Sequence, residues 1–136
     1  MRISARGKYA LKMLIDLAEN NDEKYISLND ISERQNISKK YLEQIVPMLV
    51  KPGIIRANRG NKGGYQLNKP AYACTVGEIL RATDGELIPM EGLDYNSDNN
   101  VIYAFEGIHD TINQYVDSIS LQDILEHHRE YFDYTI

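Results

Sequence analysis

Residues Ser27 to Gly64 constrain this chain more than any other stretch. They read S-L-N-D-I-S-E-R-Q-N-I-S-K-K-Y-L-E-Q-I-V, then P-M-L-V-K, then P-G-I-I-R-A-N-R-G-N-K-G-G. Ser27 and Ser38 each stand just before a run with helical apolar spacing, where a hydroxyl caps free backbone N–H groups. Asp30 adds a weaker form of the capping box behind Ser27. Leu28 and Ile31 mark the inner face of the first helix, and Asn36-Ile37 the turn. Leu42, Ile45, Val46 and Leu49 mark the inner stripe of the second, which is expected over Lys39 to about Lys51. Pro47 lies inside it, so a kink or an end near Val46 is expected, because proline removes a backbone bond. A strand at Ile54 to Ala57, a glycine-rich tip at Gly60 to Gly64 and a return strand at Tyr65 to Leu67 follow. Two helices, a tight turn and a basic hairpin form the pattern of a winged helix-turn-helix.

The net charge of −5 argues against nucleic acid until its distribution is read. Residues 1–70 hold 13 Lys/Arg and 7 Asp/Glu, a net of +6; residues 71–136 hold 2 and 13, a net of −11. A local basic face, not the overall balance, is what phosphates meet. Chance clustering of solvated charge is the bland alternative.

The remaining chain frames that unit. Ser4 is placed to cap a helix over about Ala5 to Asn20, with Ala10, Leu11, Leu14, Leu17 and Ala18 inward. Arg2, Arg6, Lys8 and Lys12 make its start basic, suited either to phosphate or to water. Tyr25-Ile26 reads as one edge of a small sheet. Thr75-x-x-Glu78 is a capping box opening a helix that Asp84-Gly85 ends. A loop from Glu86 to Asn100 leads to a long helix at about Val101 to Ser118, and Ser120 caps a last helix. Val101, Phe105, Ile108, Ile112, Tyr115 and Ile119 recur with spacings 4, 3, 4, 3, 4, a seam that suits a partner helix and a homodimer. Packing on its own domain is the competing use. The expected division is a DNA-binding unit over residues 1–85 and a loop, dimerisation helix and tail over residues 86–136.

The start of the Ser38 helix is where a recognition helix does its work. Ser38 and Tyr41 suit phosphate contacts, and Lys39 and Lys40 suit phosphate or guanine. Gln44 matches adenine, and Glu43 accepts from cytosine. Each alone is an ordinary solvated position; the set at this place is specific. Arg56, Arg59 and Lys62 lie on or beside the hairpin tip, where a glycine-rich backbone and an arginine suit a narrow minor groove. G-N-K-G-G-Y is no nucleotide-binding motif.

Other chemistry is sparse. Cys74 is the sole cysteine, which excludes an intrachain disulfide. It reads as a small buried hydrophobe, with a thiol switch as the alternative. His127 and His128 are adjacent and face different ways on a helix, which makes a poor metal pair. No nucleophile–base pair or carboxylate dyad stands out, so an enzyme is not expected. No apolar run approaches the ~20 residues of a membrane span, and a cytoplasmic protein is expected.

These residues resemble the Rrf2 family of bacterial transcription regulators over essentially the whole chain. M-R-I-S-A-R-G-K-Y-A-L is similar to the family's amino terminus, I-S-E-R-Q-N-I-S-K-K-Y-L-E-Q to its helix-turn-helix, R-G-N-K-G-G-Y-Q-L to its wing and T-V-G-E-I-L-R-A-T-D-G to its fourth helix. The resemblance implies a mainly α fold with a small β-wing, a long dimerisation helix, and sequence-specific transcriptional control, usually repression; a homodimer of helix-turn-helix units is expected to read a palindromic operator. It places DNA contacts on Ser38, Lys40, Tyr41, Glu43, Gln44 and Arg59. Cluster-binding members carry three cysteines in the loop before the long helix, and this chain has none there. No iron–sulfur cofactor is therefore expected, and His109 does not match the family's histidine ligand. The cysteine-free loop is most similar to the cysteine-metabolism repressors, which sense through O-acetylserine sulfhydrylase. That implies docking of Ile136 in this enzyme, with a strap across the dimer as the alternative. A protein-interaction module acting through its acidic half is the competing function.

Overall fold

The computed structural model describes residues 2–22, 24–60 and 63–127. Its elements run α1 (Ala5–Glu19), α2 (Leu28–Gln35), α3 (Lys39–Val50), β1 (Ile55–Asn58), β2 (Gly64–Leu67), a 3-10 turn at Ala71–Ala73, α4 (Val76–Asp84) and α5 (Asn99–Ser118). A further helix is described over residues 121–127. The architecture is mainly helical with a small antiparallel wing, as the sequence implies.

Five of the described helices start on a side-chain cap, the last on Ser120, whose Oγ accepts from the Asp123 N–H at 3.1 Å while Asp123 Oδ2 accepts from the Ser120 N–H at 3.0 Å. Ser4, Ser27, Ser38 and Thr75 have extended backbones and accept from the N–H of Gly7, Asp30, Tyr41 and Glu78. Each satisfies a donor the helix leaves unpaired. Asn36 ends α2 in the left-handed region, at φ 54°, which sets the tight turn into α3.

Two expectations need correction. The helix neither ends nor stops hydrogen-bonding at Pro47: α3 runs to Val50, and the Lys51 N–H donates to the Pro47 carbonyl at 3.1 Å. Pro47 and Glu43 both lie on the exposed face, so water can satisfy the carbonyl that proline leaves without a donor. The capping boxes at Ser27 and Thr75 are only half made: at the first, the Asp30 N–H donates to Ser27 Oγ and the carboxylate makes no return bond among the described residues. Glu78 does not reach back to Thr75; it pairs with Lys69.

One apolar core joins α1, α2, α3, the wing and α4. Met13, Leu14, Ile31, Leu42, Ile45, Leu49, Ile54 and Ile79 are fully enclosed. Leu121, from the far end of the chain, lies in the same core. Its N–H donates to the Cys74 carbonyl, and the Val76 N–H donates to Ile119, which tie the chain after α5 to the start of α4. Cys74 is completely buried, and burial pushes its thiol up to about 11, with the charge of Glu78 adding to this. A thiol that stays protonated at neutral pH behaves as the buried hydrophobe.

Three polar ties brace the core, none legible as helical period. Asp16, only 1% exposed, accepts from Arg34 Nε and Nη2 at 2.9 and 2.8 Å and from Gln35 Nε2 at 3.0 Å. This joins α1 to α2. Arg81 donates to both Asp117 oxygens, at 2.7 and 3.0 Å, and to Asn113, joining α4 to α5. Asp84 accepts from the Ser4 backbone N–H at 3.0 Å and from its hydroxyl, joining α4 to the start of α1. Burial raises the Asp84 pKa, but the Ser4 hydroxyl and N–H, Thr83 and Arg6 outweigh it and hold the carboxyl below its ordinary range. A carboxyl depressed on folding stabilises only while ionised. The advantage of the wild type over Asp84→Asn is therefore expected in full above about pH 4, and it shrinks as pH falls through the folded-state pKa. Urea unfolding of both proteins between pH 3 and pH 7 checks this; a gap independent of pH would contradict it.

Candidate nucleic-acid interface

The exposed turn at the start of α3 is built by its two ends. Behind it, Leu42, Ile45, Val46 and Leu49 anchor the helix in the core. In front, the Ser38 cap and the left-handed Asn36 bring α3 out of the turn with its first residues outward. Ser38, Lys39, Lys40, Glu43 and Gln44 are all exposed, and Tyr41 is half-buried. Ser38 Oγ accepts from the Tyr41 N–H at 3.1 Å, which leaves its own hydroxyl proton for an outside acceptor.

Tyr41 is held by a neighbour that the reading of the helix-turn-helix alone missed. Its ring meets the Tyr9 ring edge-on, with centroids 5.1 Å apart and planes at 83°. Lys12 Nζ sits 5.8 Å from the centre of the Tyr9 ring and donates to the Gln35 carbonyl at 3.4 Å. The basic start of α1 is thus joined to the start of α3 by an aromatic pair. Tyr9 and Lys12 in the sequence carry the signal, but only the packing of α1 on α3 brings them to Tyr41.

The wing is a two-stranded ladder, Ile55↔Leu67 to Asn58↔Gly64. Ile26 adds a third edge, exchanging two backbone bonds with Tyr65 at 2.9 and 2.8 Å, as the Tyr25-Ile26 reading expects. Arg59 is exposed at the tip, where Asn58 Oδ1 accepts from the Gly60 N–H at 3.2 Å. Arg56 lies in β1 and is held by Gln66 across the ladder. Lys62 lies outside the described residues. The recognition turn and the wing project from one core, which is the arrangement that reads a groove and its edge together.

Along α5, Val101, Phe105, Ile108 and Tyr115 are exposed, at 42, 44, 49 and 64%. Ile112 is half-buried against the chain's own Leu80, Leu87 and Val116, and Ile119 is half-buried too. Buried Ile102 and Val116 give the helix its inner face. His109 Nδ1 is 3.1 Å from Asp110 Oδ1, and both residues line a hollow with Met90, Tyr95 and Glu106. No described helix is long and apolar enough to cross a membrane.

Residues 3–127 match the family described as Rrf2, iron-dependent transcriptional regulator. The chain is 35% identical over 124 residues to the HTH-type transcriptional regulator CymR of Bacillus subtilis, covering 91% of this chain and 89% of that one. It is 44% identical over 84 residues to the regulator IscR of Escherichia coli, 62% of this chain and 52% of that one. Among solved structures, CymR, the global cysteine regulator of B. subtilis, superposes with a TM-score of 0.81 at 33% identity, over 93% and 98% of the two chains. The IscR of T. potens superposes at 0.77 and 34% identity, over 96% and 90%. The family's iron finds no cysteine set here: the single cysteine is sealed in the core, and no three His, Cys, Asp or Glu side chains converge among the described residues.

Proposed function

The chain belongs to the Rrf2 family of transcriptional regulators, and on that premise we propose that it is a cluster-free repressor that binds a palindromic operator as a homodimer. The observation that carries the reading is the exposed set Ser38, Lys39, Lys40, Glu43 and Gln44 on the outward turn of a helix whose other face is fully packed. The bases are read by Glu43 and Gln44, and Arg59, Arg56 and Lys62 meet the duplex from the wing. Tyr41, braced by Tyr9, is a phosphate contact, with Lys12 adding charge beside it. The unpartnered Val101, Phe105, Ile108 and Tyr115 support a second copy on α5, which brings two recognition helices to half-sites about 34–36 Å apart. Residues 1–85 carry the DNA contacts and residues 86–136 the assembly.

The experiment is selection of genomic fragments by the purified protein at a salt concentration that suppresses non-specific binding, followed by titration of the enriched duplex. Replacing Arg59 with alanine is expected to lower the log–log salt slope by ~0.9, the loss of one phosphate contact. Replacing Gln44 or Glu43 is expected to change base preference while leaving that slope in place. Uniform weakening on every sequence would remove the base-reading role.

For the signal, we propose a partner enzyme, O-acetylserine sulfhydrylase, engaged through Ile136. The likeness to a global cysteine regulator supports this choice; residues 128–136 lie outside the described residues. Deleting the last four residues is expected to abolish co-purification with the sulfhydrylase and leave operator binding intact. Retained binding of the enzyme by the shortened chain would overturn it.

A further inference from the structure

Among the described residues three arginines are fixed by side-chain acceptors, and one differs in kind. Arg34 is held by Asp16 and Arg81 by Asp117, so each charge is cancelled where it stands. Arg56 is held by a neutral amide. Gln66 stands directly opposite it in the β1–β2 ladder, and Gln66 Oε1 accepts from Arg56 Nε at 3.1 Å and from Nη2 at 2.7 Å. Gln66 is only 7% exposed, whereas Arg56 is exposed. Among the described residues no carboxylate lies within ion-pair distance of Arg56.

We infer that Gln66 is a positioning residue that presents Arg56, with its charge uncancelled, to a phosphate of the bound duplex. This rests on the DNA-binding reading and adds to it a residue that touches no DNA. A guanidinium has five N–H donors. Two are used on Gln66, and the remaining three, including both on Nη1, meet no acceptor among the described residues. These donors are the fork that grips an oxyanion through two parallel bonds. A buried neutral acceptor suits this role, because it fixes the long side chain in advance and leaves its charge free. A carboxylate at the same place would fix it and neutralise it. Arg56 lies in β1 two residues before its end at Asn58, and Arg59 follows directly at the tip, so a tip that enters a groove brings Arg56 to the flanking backbone. The pair borders a polar hollow of about 340 Å³, which Asn21 and Tyr25 also line.

The test uses the full chain and a random-sequence duplex, with affinity measured against sodium chloride. Arg56→Gln is expected to weaken binding about tenfold and lower the salt slope by ~0.9. Gln66→Glu is expected to lower the slope equally, without loss of thermal stability. Gln66→Met is expected to weaken binding in the wild-type background and to do nothing further beside Arg56→Gln. Equal weakening by Gln66→Met in both backgrounds, or an unchanged slope for Arg56→Gln, would overturn the inference. So would a rise in melting temperature with inorganic phosphate, at constant ionic strength, that Arg56→Gln abolishes while the DNA slope stays whole; the occupant would then be a small free anion. A wild-type chain with no affinity for any duplex would sink the DNA reading itself, a result distinct from all of these.

Discussion

Replacing Ile108 with glutamate is expected to leave the chain folded, split the homodimer proposed above, and weaken binding to a two-half-site duplex about a hundredfold or more. Ile108 is 49% exposed on α5, and its side chain is absent from the core clusters. The loss of stability within one chain is therefore small, as at other surface positions. A glutamate on each copy sets two like charges into an apolar seam, where neither finds a cation. Without the seam each recognition helix binds alone. The second half-site then no longer gains from the high local concentration that linkage provides. Affinity for a single half-site duplex is expected to stay as it was. Sedimentation velocity and fluorescence anisotropy on both duplexes check the two halves of this claim. A variant that remained dimeric with full operator affinity would show that α5 is not the seam. Gly107, on the same helix, has nothing within 4 Å of a Cβ placed there.

Gly64→Ala is the substitution expected to damage the DNA-binding unit most for its size. A Cβ at Gly64 would lie 2.5 Å from the Ile26 carbonyl oxygen, 2.7 Å from its carbon and 3.0 Å from its nitrogen. All three are backbone atoms, so no side chain can swing aside. β2 must pull away from Ile26, which strains or breaks the two bonds between Ile26 and Tyr65. Overpacking of this kind costs about 3 kcal/mol, roughly 10 °C in melting temperature for a chain of this size. Urea and thermal unfolding measure it. DNA affinity is expected to fall as well, because the wing hangs from that edge. A change below ~0.5 kcal/mol would mean that the strand shifts freely and that the close approach is not structural. The sequence invites a different account of this glycine, as freedom at a DNA-facing tip; the fold assigns it to close packing of the first residue of β2 against the Ile26 backbone.

Much of the fold and part of the interface are legible in the residues, and the division has a physical cause. A helix cap is a bond between positions three apart. Ser4, Ser27, Ser38 and Thr75 could therefore be read as starts without knowing what lies beside them, and each caps as read. The inner stripe of α3 and the outward Lys39, Lys40, Glu43 and Gln44 follow from the 3.6-residue period in the same way. The charge division between the two halves is legible because it needs only counting. The glycine-rich tip shows where the chain reverses, but not which glycine is pressed against a neighbour.

What only the tertiary structure decided are the bonds between residues far apart in the chain. Asp16 sits among apolar positions of α1 and is made tenable there by Arg34, 18 residues on. Arg81 meets Asp117 across 36 residues, and Asp84 meets Ser4 across 80. Glu78 pairs with Lys69 rather than closing the box that its spacing from Thr75 suggests, because the link before α4 brings a cation within reach. Pro47 stays inside α3 because the carbonyl it deprives faces water and the buried stripe on either side anchors the helix in the core. Local sequence sets which bonds a backbone can make with itself. The choice among competing partners for a charge, an amide or a bare glycine waits on which surfaces the core brings together. Gln66 illustrates the difference: in the sequence it is one residue of a return strand, and in the fold it is the buried acceptor that aims Arg56 outward.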